Sequence, residues 1–374
     1  MSQLRIINTM NSLETIAGGL YSIFVPIFLL TSGFSLQSIF IYLTIHHLGI
    51  VPFFILAAKS CERFGVRKTI FIRFFFLAAY FFALFFLDKY RFLFYLAPVL
   101  GSLQASFMYY PQHFIFASHA KHEEMGAKVA SLYAWPQVVS IATPLISSFV
   151  AILFGFKNLF IASLLLYFIT SLFAYRALKD VKIKVNLSWK KFFSFIKANY
   201  KHFKLLIIEN IRGEIQGNIW PIMLFIAITG TGGAAQEKIG ILSVGSFESI
   251  VGFIGVFLAL IVGRTYDKHG KDKLLRFGFA SFAILWLLAY KLDNPAFLYL
   301  LSIALGIFTV FISIPMQSLI YELSQKQNKE EFLVYVEAPQ IIGRLIAYAI
   351  FIIFIANIKF SFLFAFFTSL LMLI

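Results

Sequence analysis

His46, His47, Gln104, Gln137, Gln216, Asn218, Glu248, Glu337 and Arg344 all stand inside long apolar stretches of this sequence. A charge in hydrocarbon costs about 2.5–3.5 kcal/mol on insertion scales, so such a residue defaults to a place on a substrate or ion pathway. These residue types can pair charges, carry a proton or bind a polar solute. His46 and His47 are neighbours and would point about 100° apart on a helix, so they cannot both face one cavity well. One is placed to carry a proton, and an interhelical hydrogen bond is the competing role. Glu248 shares a helical stripe with Gly245, Gly252 and Gly255, and Glu337, Gln340 and Arg344 form another. Glu248 and Arg344 have opposite signs and similar depth, so they are expected to pair. The rival arrangement puts Arg344 on an anionic solute and a proton on Glu248. Glu14 and Glu209 read as residues near helix N-termini that favour the dipole, with substrate contact as the alternative.

No constellation for bond-making chemistry appears. The histidines lack zinc-ligand spacing with acids, and there is no Walker loop. The lone Cys61 excludes an intramolecular disulfide and a cysteine metal motif. The expectation is a non-enzyme with no cofactor and no metal.

Twelve apolar runs must position these side chains. They lie near 12–32, 36–58, 69–87, 92–118, 128–153, 156–177, 203–229, 237–262, 273–291, 295–323, 332–356 and 358–374. Each is long enough to cross ~30 Å of hydrocarbon as a helix, and short connections make neighbours antiparallel. Of the 374 residues 60% are hydrophobic and 13% charged, against about 25% charged in soluble domains. The net charge of +15 does not point to nucleic acid, because the cations cluster at the ends of apolar runs. Counted by side, 24 of the 32 Lys and Arg fall at Arg5, 59–73, 119–128, 176–204, 263–276 and 324–331. The opposite loops hold only Lys89, Arg91, Lys157, Lys238, Lys291 and Lys359. That asymmetry puts both termini and the central segment in the cytoplasm, in an integral protein of the cytoplasmic membrane. The central segment, 178–203, alternates lysines with Trp189, Phe192, Phe193 and Phe195, which suits contact with an anionic leaflet.

The chain is duplicated. Glu62-Arg63-Phe64-Gly65-Val66-Arg67-Lys68 recurs as Asp267-Lys268-His269-Gly270-Lys271-Asp272-Lys273, 205 positions later. Each copy is a basic hairpin loop whose glycine permits the positive φ that reverses the chain. Glu14 and Pro26 match Glu209 and Pro221 at an offset of 195, Pro111 matches Pro315 at 204, and Pro136-Gln137 matches Pro339-Gln340 at 203. Six helices per half is an even number, so the halves share one membrane orientation. That relation is the parallel repeat of one transporter class.

These features resemble the major facilitator superfamily. Its loop motif is matched best by Gly263, Asp267, Lys268, Gly270 and Lys273; the first copy has Ala58 and Glu62 at the leading Gly and Asp positions. The resemblance covers the whole chain. It implies an all-α integral membrane protein of about twelve transmembrane helices in two parallel-related six-helix bundles, 1–177 and 204–374, joined by a basic linker, 178–203. It implies a monomer that moves a small solute by alternating access, driven by a coupled proton or cation or by the solute's own gradient. It also implies that Glu62 and Asp267 cap neighbouring helix N-termini at a cytoplasmic gate, with Arg63 and Lys268 beside them. The alternatives are a transporter-like sensor or scaffold that binds a ligand without moving it, and a polytopic lipid-modifying enzyme.

Overall fold

The computed structural model describes residues 3–119, 124–230, 233–292 and 294–373, and every regular element among them is helical. The expected loops at 119–128 and 230–236, and the terminal Ile374, fall partly or wholly outside the described residues. Each of the twelve apolar runs is helical. Eight are single helices: Leu36–Phe64, Val66–Phe85, Leu93–His119, Phe156–Ala177, Ala234–His269, Asp272–Lys291, Pro295–Gln325 and Lys359–Leu370. Nine stretches among the described residues are long and apolar enough by themselves to cross a bilayer; the fourth, seventh and twelfth runs fall outside that set. The second helix has 29 residues and the eighth has 36. At 1.5 Å per residue these reach roughly 44 and 54 Å, longer than the hydrocarbon core of about 30 Å.

The other four runs are interrupted, which the apolar pattern does not reveal. The first breaks between Gln3–Gly19 and Phe24–Thr31, the fifth between Met125–Ser140 and Thr143–Phe154, and the eleventh between Lys329–Tyr335 and Glu337–Ile353. The seventh passes from Tyr200–Glu214 through a π-helical turn, Ile215–Ile219, into Trp220–Thr229. Prolines flank the breaks: Pro26, Pro136 and Pro144, Pro221, and Pro339. Each removes an N–H donor and crowds the preceding turn, so helical hydrogen bonding is disrupted locally. The first and seventh breaks begin at Leu20 and Ile215, the same offset of 195 that relates Glu14 to Glu209.

The two basic loops turn on Gly65 (φ 89°) and Gly270 (φ 73°), as their sequence requires. Small residues bring the fifth and eighth helices together across the halves. A Cβ on Gly263 would stand 2.5 Å from Ala130 Cβ, and one on Gly126 would stand 2.5 Å from the Gly263 carbonyl oxygen. Further along the same seam Gly245 packs on Ser148 and Gly252 on Gln137. At the end opposite the basic loops, Phe24 and Ile27 of the first run join Leu224, Phe225 and Phe247 in one buried apolar cluster. Phe40 of the second helix meets Phe351 of the eleventh run at 5.8 Å between ring centroids. The halves therefore touch at both ends, with polar residues between.

Candidate functional site

At the basic end, both oxygens of Asp267 accept backbone N–H groups of the fifth run, from Gly126 at 2.7 Å and Ala127 at 2.8 Å. These are the first residues of a helix, whose N–H groups have no partner within it and which favours a negative charge. The close approach of Gly126 and Gly263 is what lets the carboxylate reach. Asp267 thus caps a helix of the other half.

Glu62 does not do the same, which corrects the expectation for the first copy. It turns back to Lys59 at 2.9 Å on its own helix. The helix start that symmetry would offer it, at Lys329, is already capped by Asn328, whose side chain accepts from Glu331 N at 3.2 Å. Ala58 also stands where the second copy has glycine. Arg63 lies over Phe64, and Arg67 reaches Asp180 at 3.7 Å. Lys68, Lys268 and Lys273 are exposed. More bridges close this end: His113 to the Tyr321 hydroxyl at 2.6 Å, and the Tyr110 hydroxyl donating to the Glu330 carbonyl at 3.2 Å.

Between the two ends lies a cavity of about 870 Å³. His46, His47, Gln104, Gln137, Asn218, Glu248, Glu337 and Arg344 all line it. Gln216 does not. It accepts from Thr309 at 2.6 Å and from Arg212 at 3.3 Å within the second half. It sits in the π turn, which alters the helical spacing and hence which residues face the cavity.

The expected Glu248–Arg344 pair is not formed. Arg344 Nε is 3.4 Å from Glu214 Oε1 and donates to Asn210 Oδ1 at 3.0 Å. Glu214 is the centre of the cluster. Its Oε2 accepts from Asn218 Nδ2 at 2.7 Å and from the Tyr348 hydroxyl, and its Oε1 lies 3.4 Å from His47 Nε2 of the first half. Only 8% of the Glu214 side chain and 6% of the His47 side chain is accessible, so the contact between halves is buried. Glu248 faces the cavity with no hydrogen bond or ion pair among the described residues. Glu337 accepts from Gln340 at 3.2 Å.

His47 has a defined tautomer. Its Nδ1 is 2.9 Å from the Leu43 carbonyl oxygen, which can only accept, so Nδ1 carries a hydrogen. Nε2 therefore meets Glu214 either with a second proton or with a lone pair. A lone pair against a carboxylate is repulsive, so contact requires a proton on one group or the other. His46 Nδ1 likewise faces the Pro98 carbonyl at 3.3 Å.

Glu14 and Glu209 are mid-helix residues rather than N-terminal ones. The first helix starts at Gln3, so Glu14 lies three turns in and meets Arg73 at 2.6 Å. Arg73 also donates to Gln104 at 3.0 Å and lies over Tyr167. It belongs to this buried pair rather than to the loop cations. Glu209 meets Arg212 at 2.9 Å, and Arg212 reaches Thr309 at 3.3 Å and lies over Phe282. The two halves thus repeat an acid–arginine pair, with the arginine supplied by the third helix in one half and the seventh in the other. Glu214 is not among the residues singled out from the sequence, although it lies two positions before Gln216 in the same apolar run.

The family model of the Major Facilitator Superfamily matches residues 9–236 and 215–374. The chain belongs to the major facilitator superfamily. Solved structures align with this chain over nearly its full length at low identity. A bacterial homologue of the iron transporter ferroportin in its outward-facing state superposes with a TM-score of 0.72 at 13% identity, over 100% of this chain and 98% of that one. A variant of the E. coli fucose:proton symporter FucP gives 0.69 at 12% identity, over 99% and 96%. A point mutant of the nucleoside transporter NupG gives 0.70 at 13% identity, over 100% and 98%. At such identity the likeness shows the fold alone. No curated protein sequence matches significantly. As a superfamily member the chain is an integral membrane protein of several spans that moves small solutes by alternating access, and it is no enzyme.

Proposed function

We propose that this transporter couples movement of a small polar solute to movement of a proton, and that His47 and Glu214 hold that proton between the halves. The reading rests on one observation: a buried histidine of the first half, its Nδ1 hydrogen committed to a backbone carbonyl, presents Nε2 to a carboxylate of the second half. When the proton leaves, a lone pair faces a carboxylate and the halves lose an attractive contact at the cavity. When a proton is present, the contact favours closure. Arg344, Asn218 and Tyr348 hold Glu214 in place, while the unpaired Glu248 is a contact for the solute. Glu337, Gln104 and Gln137 supply further polar lining.

The moving bodies are 1–177 and 204–374, linked by 178–203, in a monomer of the cytoplasmic membrane with both termini cytoplasmic. The basic end, with Asp267 and its partners, is then the cytoplasmic gate, and the linker contacts the anionic inner leaflet. The positive-inside asymmetry supports this orientation.

The test uses proteoliposomes loaded with a pH-sensitive dye and a panel of small metabolites first screened by thermal shift. A solute that raises apparent stability should change internal pH as it enters, and Glu214→Gln and His47→Gln should abolish the pH change. Uptake without any pH change would overturn the coupling and leave facilitated transport. Binding without uptake would favour the sensor.

A further inference from the structure

The linker is not a slack tether. Its first part is laid along the first half: Val66 N donates to the Val181 carbonyl at 2.9 Å, Lys59 Nζ donates to the Val185 carbonyl at 3.1 Å, and Ile183 and Val185 are buried. Its second part is a ten-residue helix, Trp189–Ala198, fixed to the second half. There Lys191 pairs with Glu331 at 2.7 Å, Ser188 N donates to the Tyr335 hydroxyl at 3.0 Å, and Phe195 packs on Phe332 and Tyr335. Residues 180–198 therefore strap the two halves together across the basic end.

The strap helix has two faces. At about 100° per residue, Lys191, Phe192, Phe195 and Ile196 share the arc that docks on the second half. The opposite arc carries Trp189, Phe193, Lys190 and Lys197. Trp189 is 77% exposed and Phe193 64%, with both lysines exposed beside them. Large aromatic rings flanked by lysines form an amphipathic interfacial surface, and its charge complements acidic headgroups. The next helix begins two residues later, at Tyr200; with the seventh run read as a membrane span, this face falls at headgroup level.

We infer that this outer face docks on anionic phospholipid headgroups and that the docking holds the basic end closed. The inference rests on the reading that the halves alternate and that residues 178–203 adjoin the inner leaflet. The physical basis is linkage. In the strapped position the helix uses its inner face on the second half and its outer face on lipid at the same time. Lipid that binds the outer face more tightly when the helix is held in this position than when it is released favours that position, and with it the closed gate.

Hydrogen exchange on the full chain in symmetric nanodiscs tests the docking without a solute or a known orientation. One disc is phosphatidylcholine alone and the other includes phosphatidylglycerol. The expected result is that amides of 189–198 exchange roughly tenfold or more slowly in the anionic disc, since each lysine near such a surface contributes attraction. The double variant Lys190→Gln/Lys197→Gln should lose that difference while keeping wild-type exchange in phosphatidylcholine, which shows that it is folded. Equal exchange of the wild type in both discs, or a lipid effect that persists in the double variant, overturns the docking. Spin labels at Lys68 and Lys273 read the gate in the same discs. Anionic lipid should shift wild type toward the short distance, and protection without any distance change overturns the closing role. A protein that shows the lipid effect yet fails to take up any solute would sink the transport reading and leave the docking intact.

Discussion

Replacing Asp267 by asparagine removes the charge that fastens the eighth helix to the start of the fifth. The carboxylate accepts two N–H groups at 2.7 and 2.8 Å. An amide in the same place accepts one of them and turns its own NH₂ toward the other, donor against donor. It also gives up the attraction of a negative charge for a helix N-terminus. Caps of this kind contribute about 0.5–2 kcal/mol, and the site is partly open to solvent, so the loss is about 1–2 kcal/mol. That amounts to roughly a 5- to 30-fold fall in the ratio of closed to open basic ends. A population about 20:1 closed would drop to about 2:1 for a tenfold shift, well within reach of a distance measurement. Spin labels at the exposed Lys68 and Lys273, in a Cys61→Ser background, would show a new long-distance component. Asp272→Asn is the control, because Asp272 is exposed and its ion pair among the described residues is with its neighbour Lys271, at 3.7 Å. If the distance distribution of Asp267→Asn superimposes on wild type at every pH and with every solute tried, the clamp does not set the gate equilibrium.

Three further outcomes are expected. Glu214→Gln leaves Arg344 without its ion-pair partner, and Arg344→Gln removes one of the groups that hold Glu214, so each should cost about 1–3 kcal/mol, while the double neutral variant loses less in detergent melting temperature than the sum of the two; strictly additive losses would show that the two do not act as a pair. Glu248→Gln has no partner to strand, so its melting temperature should equal or exceed wild type while solute uptake falls, and a large loss of stability would reveal a structural role. Gly126→Val must push the fifth and eighth helices apart, because its Cβ already meets the Gly263 carbonyl at 2.5 Å, whereas Gly217→Ala meets nothing within 4 Å and should melt like wild type.

The class of the molecule was legible in the sequence because it depends on properties each segment carries alone. Length and apolarity mark a membrane helix wherever it packs, and the paired loops with their glycines mark a duplication without reference to contacts. Asp267 could be picked out on the same ground, since its motif is local. What it grips could not, because Gly126 lies in the other half and is brought near only by packing of small residues. The site itself was decided by tertiary structure. Glu248 and Arg344 match in depth and sign, yet depth along a helix says nothing about direction around it. Breaks in the first, fifth, seventh and eleventh runs change that direction. The π turn after Glu214 sends Gln216 into the second half and leaves Asn218 on the cavity. Arg344 then finds Glu214 across one helix contact, His47 reaches the same carboxylate from the other half, and Glu248 is left facing the cavity. A charge in hydrocarbon must find a partner or a cavity, and the sequence states that need. Which of the two it finds depends on the rotation of each helix against its neighbours, and only the packed chain fixes that.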